Sequence, residues 1–372
     1  MIKKILFISP DASRTGAPKV LLLTMQWLKR NQSEIEITLL ILKKGDLFSD
    51  FQDTVDILIF PDAKRIQNFF YHRVLKRKKK KVSPFILKSL TKKSFDLIYC
   101  NSVNTFEIGV DLKNKNPNSQ LVGHFHEKST VIDILCPNFI NLAGSFEKFL
   151  AASYSVKEDL INFYNISDRN ISVVYESAVV ENIKRTKYKK SHFHIGGSGT
   201  VHWRKGVDVF IQVARIFREK HPESEVKFTW LGAISREERL IQEADLRKLG
   251  LLDEVSFPGL VKDPDEIYST FDVFLLTSRE DPFPLAAIEV GKLGVPIICF
   301  EKASGTAEII RKGGGFIVPY LNTEAMADKL GEYHLKPELH TQHSEECQRY
   351  FSNFTPEQKS NEIFNKLMEV LK

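Results

Sequence analysis

Ser278-Arg279-Glu280-Asp281-Pro282-Phe283-Pro284-Leu285-Ala286-Ala287-Ile288-Glu289 reads as a strand end, a tight proline-bearing loop and a helix starting near Leu285. An apolar run, Val273–Thr277, precedes the stretch; Gly291 and Gly294-Val295-Pro296 follow and lead into a second apolar run, Val295–Phe300. Strand, loop, helix, strand is the repeating unit of a parallel sheet covered by helices. The first backbone N–H groups of such a helix have no partner within it and point at the loop, which makes an anion site. Asp281 and Glu289 bracket that site. Two readings fit these carboxylates. Beside bound phosphate they accept hydrogen bonds from hydroxyls, as on ribose and a hexose; otherwise Asp281 is a turn residue and Glu289 a helix-dipole partner.

The same alternation extends through nearly the whole chain. Strands are expected at Lys4–Ser9, Glu36–Leu42, Val55–Phe60, Phe95–Cys100, Leu121–His126, Phe149–Ser153 and Ile171–Tyr175, then at Phe193–Gly197, Val226–Gly232, Val255–Phe257, Val273–Thr277, Val295–Phe300 and Phe316–Val318. Helical patterns lie between them, including Pro18–Arg30, Val156–Tyr164 with Ser155 as its cap, and Val207–Lys220. The polar, basic stretch Lys184–Lys190 interrupts the alternation and reads as a linker. The fold class is therefore α/β, with two doubly wound parallel-sheet domains whose strand ends face a central cleft, where ligands of open α/β sheets bind. The expected boundaries are 1–187 and 188–356, with a final helix at about 357–372 crossing back to the first domain.

Composition excludes several classes. The 372 residues are 42% hydrophobic and 27% charged, which suits a globular two-domain chain. No run of about 18 apolar residues is present, and the chain opens on a strand-like Lys3-Lys4-Ile5-Leu6-Phe7 rather than a signal peptide, so a cytoplasmic protein is expected. Cys100, Cys136, Cys299 and Cys347 are widely spaced, with neither disulfide-framework nor zinc-finger spacing. The net charge of +6 conceals an asymmetry: residues 1–190 carry 31 Lys+Arg against 19 Asp+Glu, or +12, and residues 191–372 carry −6. Much of the excess sits in Lys76–Lys81, beside Phe69-Phe70-Tyr71. Polybasic runs next to aromatics suit an anionic leaflet, at about 1 kcal/mol per cation. That points to a peripheral position on the inner face of the plasma membrane. A non-catalytic basic module binding membrane or polyanion is the rival to an enzyme. No RNA-binding signature or stacking-aromatic pattern is present, so no nucleic-acid partner is expected.

Asp281-x7-Glu289 enclosing Phe283-Pro284-Leu285, then Gly294-x-Pro296 and Gly305-x-x-Glu308, resembles the E-x7-E signature of the retaining glycosyltransferases of family 4, the group 1 glycosyl transferases, which adopt the GT-B fold. The likeness continues through Trp203-Arg204-Lys205-Gly206, Phe257–Val261 and Gly313-Gly314-Gly315. The first motif position is Asp281, preceded by Glu280, which shortens the carboxylate's reach. The resemblance implies a transferase that moves a hexose, with retention, from a nucleoside-diphosphate sugar to a glycan or lipid-linked acceptor, in cell-surface polysaccharide synthesis. It gives the diphosphate to Lys205, with Arg204 substituting for a family arginine whose position is Thr200 here. Glu289 would hold the ribose, Asp281 and the Phe283-Pro284-Leu285 backbone the donor sugar and β-phosphate, and Val261 the base. Gly16 and Ala17 would inherit the role of the family's glycine-rich loop. His126 would meet the sugar near the reacting carbon, and no protein nucleophile is assigned.

Three further patterns are weighed beside it. Gly196-Gly197-Ser198-Gly199 can bring backbone close to phosphate, with Gly199 nearest Lys205 in sequence, although the dinucleotide fingerprint is incomplete. Strand alternation puts His124 and His126 on one face; these two with Glu127 could be metal ligands, but no further protein ligand is suggested nearby. Asp263-Pro264-Asp265 matches a metal-binding D-x-D but reads as a helix start. No metal site and no cofactor are therefore expected, the nucleotide sugar being a co-substrate.

Overall fold

A computed structural model describes residues 2–60, 90, 92–180 and 192–372. The Lys76–Lys81 run, the Phe69–Tyr71 cluster and the Lys184–Lys190 linker lie outside the described residues. The chain forms two compact units, Met1–Glu176 with Pro356–Lys372, and Ser177–Thr355. The boundary thus falls at 176/177 rather than at 187/188. Pairing explains the shift: Ala178 N–H donates to the Phe354 carbonyl, and the Lys292 ammonium to the Ala178 carbonyl, so the chain joins the second unit well before its first strand.

In the first unit the elements are β1 (Lys3–Ser9), α1 (Gly16–Asn31), β2 (Ile35–Ile41), α2 (Phe48–Thr54), β3 (Ile57–Ile59), β4 (Leu97–Asn101), α3 (Phe106–Lys115), β5 (Gln120–Phe125), α4 (Ser129–Leu135), α5 (Phe139–Ala143), β6 (Lys148–Ala151), α6 (Tyr154–Tyr164) and β7 (Ile171–Val173). All strand pairs are parallel, in the order β3-β2-β1-β4-β5-β6-β7. The order reverses between β1 and β4, which opens a crevice at the carboxyl ends of these strands. Both sheet faces are apolar, as parallel sheets require. Phe106, Phe125, Phe139 and Phe149 interlock on one side, with ring centroids 5.0–6.4 Å apart. Ile5, Phe7, Met25 and Leu28 fill the other. The cap of α6 is Ser153 rather than Ser155: its hydroxyl accepts from Val156 N–H at 3.2 Å, so the helix begins two residues earlier than the apolar pattern suggests.

The second unit runs β8 (Phe193–Ser198), α7 (Val207–Lys220), β9 (Val226–Leu231), α8 (Arg236–Leu249), β10 (Val255–Gly259), α9 (Asp265–Tyr268), β11 (Val273–Leu276), α10 (Leu285–Lys292), β12 (Ile297–Phe300), α11 (Thr306–Ile310), β13 (Gly315–Val318), α12 (Thr323–Leu335) and α13 (Pro337–Phe351). Its parallel sheet has the order β10-β9-β8-β11-β12-β13, with the reversal between β8 and β11. A helix α14 (Pro356–Val370) belongs to the first unit. There it packs on α1, with Trp27 and Phe364 centroids 5.8 Å apart and the Trp27 indole donating to Glu357 at 2.7 Å.

Among the described residues no helix is long and apolar enough to cross a membrane. All four cysteines are buried and unbridged, and burial pushes the thiols of Cys100 and Cys299 up to about 12.

Candidate active site

The loops that leave β8 and β11 converge at the order reversal of the second sheet. Leaving β8, the chain passes Gly199 in a positive-φ conformation (+148°), where a Cβ would come within 2.9 Å of the Lys205 side chain. A short helical turn over Trp203–Lys205 then ends at Gly206, with φ +70°. A Cβ at Gly206 would lie 2.1 Å from the Thr277 carbonyl oxygen, so only glycine lets this loop close onto the end of β11. The Thr277 hydroxyl donates to the Gly206 carbonyl at 2.9 Å. Arg279 fastens the same two loops: its backbone N–H donates to the Arg204 carbonyl at 2.8 Å and its guanidinium spans Asp208 at 2.7 and 2.9 Å.

This closure brings Lys205, Arg204 and Asp281 together. The Lys205 ammonium pairs with one oxygen of the Asp281 carboxylate, and the Arg204 guanidinium reaches the other at 3.2 Å while also donating to the Glu280 carbonyl at 3.0 Å. Ser278 donates its hydroxyl to Asp281 at 3.2 Å. Burial works to raise the Asp281 carboxyl, but the Lys205 and Arg204 charges outweigh it and hold the group below the ordinary range. Burial pushes the Lys205 ammonium down, against the pull of Asp281. Asp281 thus occupies two cations that a bound anion would otherwise meet.

The rest of the loop is fixed by its neighbours. Asp281 N–H donates to the Ala303 carbonyl at 2.8 Å and Gly305 N–H to the Pro282 carbonyl at 2.9 Å. Phe283 stacks on Phe354 at 5.2 Å, and Pro284 caps α10 with Leu285 as its first residue. Glu289 is buried in α10, close enough to Tyr268 that its charge helps burial raise that phenol, and the phenol pairs with the Ser198 hydroxyl at 2.7 Å. Val261 follows β10 and is half-buried. Asp263 and Pro264 lead directly into α9.

The first unit has its own polar cluster at the carboxyl ends of β4 and β5. Gly16 begins α1, and the Ala17 carbonyl accepts from Asn101 Nδ2 at 3.1 Å. His126 sits just past β5, its Nε2 2.8 Å from Asn101 Oδ1 and its Nδ1 2.5 Å from Glu176. His124 lies beside it, ring centroids 4.0 Å apart, with Nδ1 against the Tyr99 hydroxyl at 2.5 Å. The Glu127 carboxylate accepts from Ser102 Oγ at 2.5 Å and from the His126 backbone N–H at 3.0 Å, steadying Ser102 at a φ of 86°. Glu176 therefore supplies the further acidic group that spacing along the chain hid; one atom from each of His124, His126 and Glu176 lies within 4.8 Å of the others. The 2.5 Å contact between His126 and Glu176 is a hydrogen bond.

Residues 179–350, nearly the whole second unit, match the family model of the glycosyl transferases group 1. The second unit is a group 1 glycosyl transferase domain. An uncharacterized glycosyltransferase of Haemophilus influenzae is 29% identical over 142 residues, 38% of this chain and 39% of that protein. The capsular polysaccharide biosynthesis glycosyltransferase CapM of Staphylococcus aureus is 26% identical over 197 residues, 52% of this chain and 51% of that one. The matches therefore span about half or less of these relatives' length. In fold the chain is similar to Anabaena Alr3699/HepE, crystallised in complex with UDP and glucose, with a TM-score of 0.80, 18% identity, and coverage of 98% of this chain and 99% of that one. Two Rossmann-like units of this kind are the GT-B architecture. In the group 1 domain, Gly199, Arg204, Lys205, Asp281 and the residues from Phe283 to Leu285 lie on the loops that leave the carboxyl ends of β8 and β11, with Glu289 along α10. Sequence reasoning missed Ser278, Asn101, Tyr99 and Glu176. Asn101 and Ser278 left a signal, each a polar residue ending an apolar strand.

Proposed function

We propose that the chain transfers a hexose, with retention of configuration, from a nucleoside-diphosphate sugar to a glycan or lipid-linked acceptor, in cell-surface polysaccharide synthesis. The observation that carries this reading is the pairing of Lys205 and Arg204 with Asp281 at the order reversal of a group 1 domain. Two cations at the mouth of a parallel sheet suit a diphosphate, and growing charge on the departing nucleoside diphosphate is where such groups lower a barrier most. The arriving diphosphate competes with Asp281 for the cations, and the released carboxylate accepts hydroxyls of the donor sugar. The backbone of Phe283, Pro284 and Leu285 meets the sugar and β-phosphate, Glu289 the ribose and Val261 the base. The cations supply the charge that a metal would, so no metal or other cofactor is needed.

The first unit supplies the acceptor side, while its Gly16 and Ala17, on the loop before α1, would approach the donor phosphate and His126, past β5, would contact the donor sugar. The complex of HepE with UDP and glucose supports the donor class, and the naming of CapM for capsular polysaccharide supports the product class. Calorimetric titration with UDP and GDP tests the diphosphate site: wild type should bind one of them, and Lys205→Ala should weaken it by about tenfold or more, the worth of a charge-assisted contact. Equal affinity in both proteins would remove Lys205 from the site.

A further inference from the structure

The hydrogen bonds around His126 determine how many protons its ring carries. Asn101 donates through Nδ2 to the Ala17 carbonyl at 3.1 Å, which fixes its amide orientation and leaves Oδ1, an acceptor only, 2.8 Å from His126 Nε2. On the other side of the ring the Glu176 carboxylate lies 2.5 Å from Nδ1. Two acceptors face the two ring nitrogens, so with the Glu176 carboxyl ionised both nitrogens donate.

We infer that Glu176 is a positioning residue that, with Asn101, holds His126 as an imidazolium, so the first unit presents a fixed positive charge at the ends of β4 and β5 rather than a proton acceptor. The inference rests on the transferase reading for its functional meaning, but not for the protonation state itself. An imidazolium at His126 cannot remove a proton from the acceptor hydroxyl. Its contribution is electrostatic and needs no proton transfer during turnover.

The charged and titratable groups facing His126 among the described residues agree in sign. Glu176 approaches from the segment after β7 and Glu127 from its own loop, and both favour the cation. Burial opposes the charge, yet the two carboxylates outweigh it and raise His126 above the ordinary imidazole value. From β5, His124 stacks on it but stays neutral, since burial and then the His126 charge hold it well below that value. From β4, Tyr99 remains a neutral phenol, kept so by burial and then by Glu176.

Nitrogen-15 spectra of a histidine-labelled wild type, with His126→Gln to assign the signal, read the ring directly. Both ring nitrogens should show the protonated imidazolium shift at pH 7.5, with the titration midpoint above that of free imidazole. In Glu176→Gln the midpoint should fall by roughly one pH unit or more, because burial then prevails, and the basic limb of the kcat pH profile should move the same way. Glu176→Asp should restore both. A neutral single tautomer in wild type at pH 7.5 overturns the inference, even in a fully active transferase. So does an unmoved midpoint in a folded Glu176→Gln protein, which would reduce Glu176 to packing. Failure of the chain to turn over any donor would instead count against the transferase reading and leave the ring's protonation to the spectra.

Discussion

Asp281 shows what one residue adds beyond its motif. Its spacing to Glu289 is plain in the sequence; its salt bridges are not, because they depend on two loops closing across the end of the second sheet. That closure hinges on Gly206. At φ +70°, with the Thr277 carbonyl 2.1 Å from where a Cβ would sit, alanine must push the loops apart. Gly206→Ala should cost about 1–3 kcal/mol, seen as a lowered Tm, and should weaken nucleotide binding along with Lys205 placement. An unchanged Tm would mean that the two loops do not depend on this contact. The Asp281 pair has a definite pH sense as well. A carboxyl held below its unfolded value contributes stability above that value, and the contribution is lost as pH falls through the folded one.

At the scale of elements, the parallel sheets were legible because runs such as Ile5–Ile8 and Ile297–Phe300 are continuously apolar, as strands buried on both faces must be. Other elements left weaker traces. α13 carries Pro337 in its first turn but buries only Cys347 and Phe351, so its apolar stripe is too thin to stand out. The cluster of His126, Asn101 and Glu176 joins three separate strand ends, and no local spacing reports such a meeting. α14 is a different case, since its stripe of Ile363 and Leu367 is evident and its covering partner is α1 with the adjacent sheet face. Leu367 is fully buried there. Leu367→Ala should destabilise the first unit by about 2–5 kcal/mol in chemical denaturation, and a loss below half of the lower figure would show that α14 is dispensable to that core.

For the whole molecule, the charge division between +12 over residues 1–190 and −6 over the remainder fits a lipid-linked acceptor presented at an anionic leaflet. Wild-type protein should bind vesicles containing phosphatidylglycerol at low ionic strength and release as salt shortens the screening length below about 8 Å. Replacing the basic residues of Lys76–Lys81 by Gln should abolish that binding and spare turnover of a soluble acceptor analogue; absence of wild-type binding would remove the membrane from the account. The transferase reading stands on donor chemistry. A panel of nucleotide sugars should be incubated with wild type and Glu289→Gln, with and without a chelator, while released nucleoside diphosphate and the anomeric configuration of the product are followed by NMR. Release from at least one donor, indifference to the chelator, retention at the anomeric carbon, and near-complete loss in a folded Glu289→Gln protein are expected. Inversion at the anomeric carbon, activity that only added metal restores, or full activity in Glu289→Gln would contradict that reading.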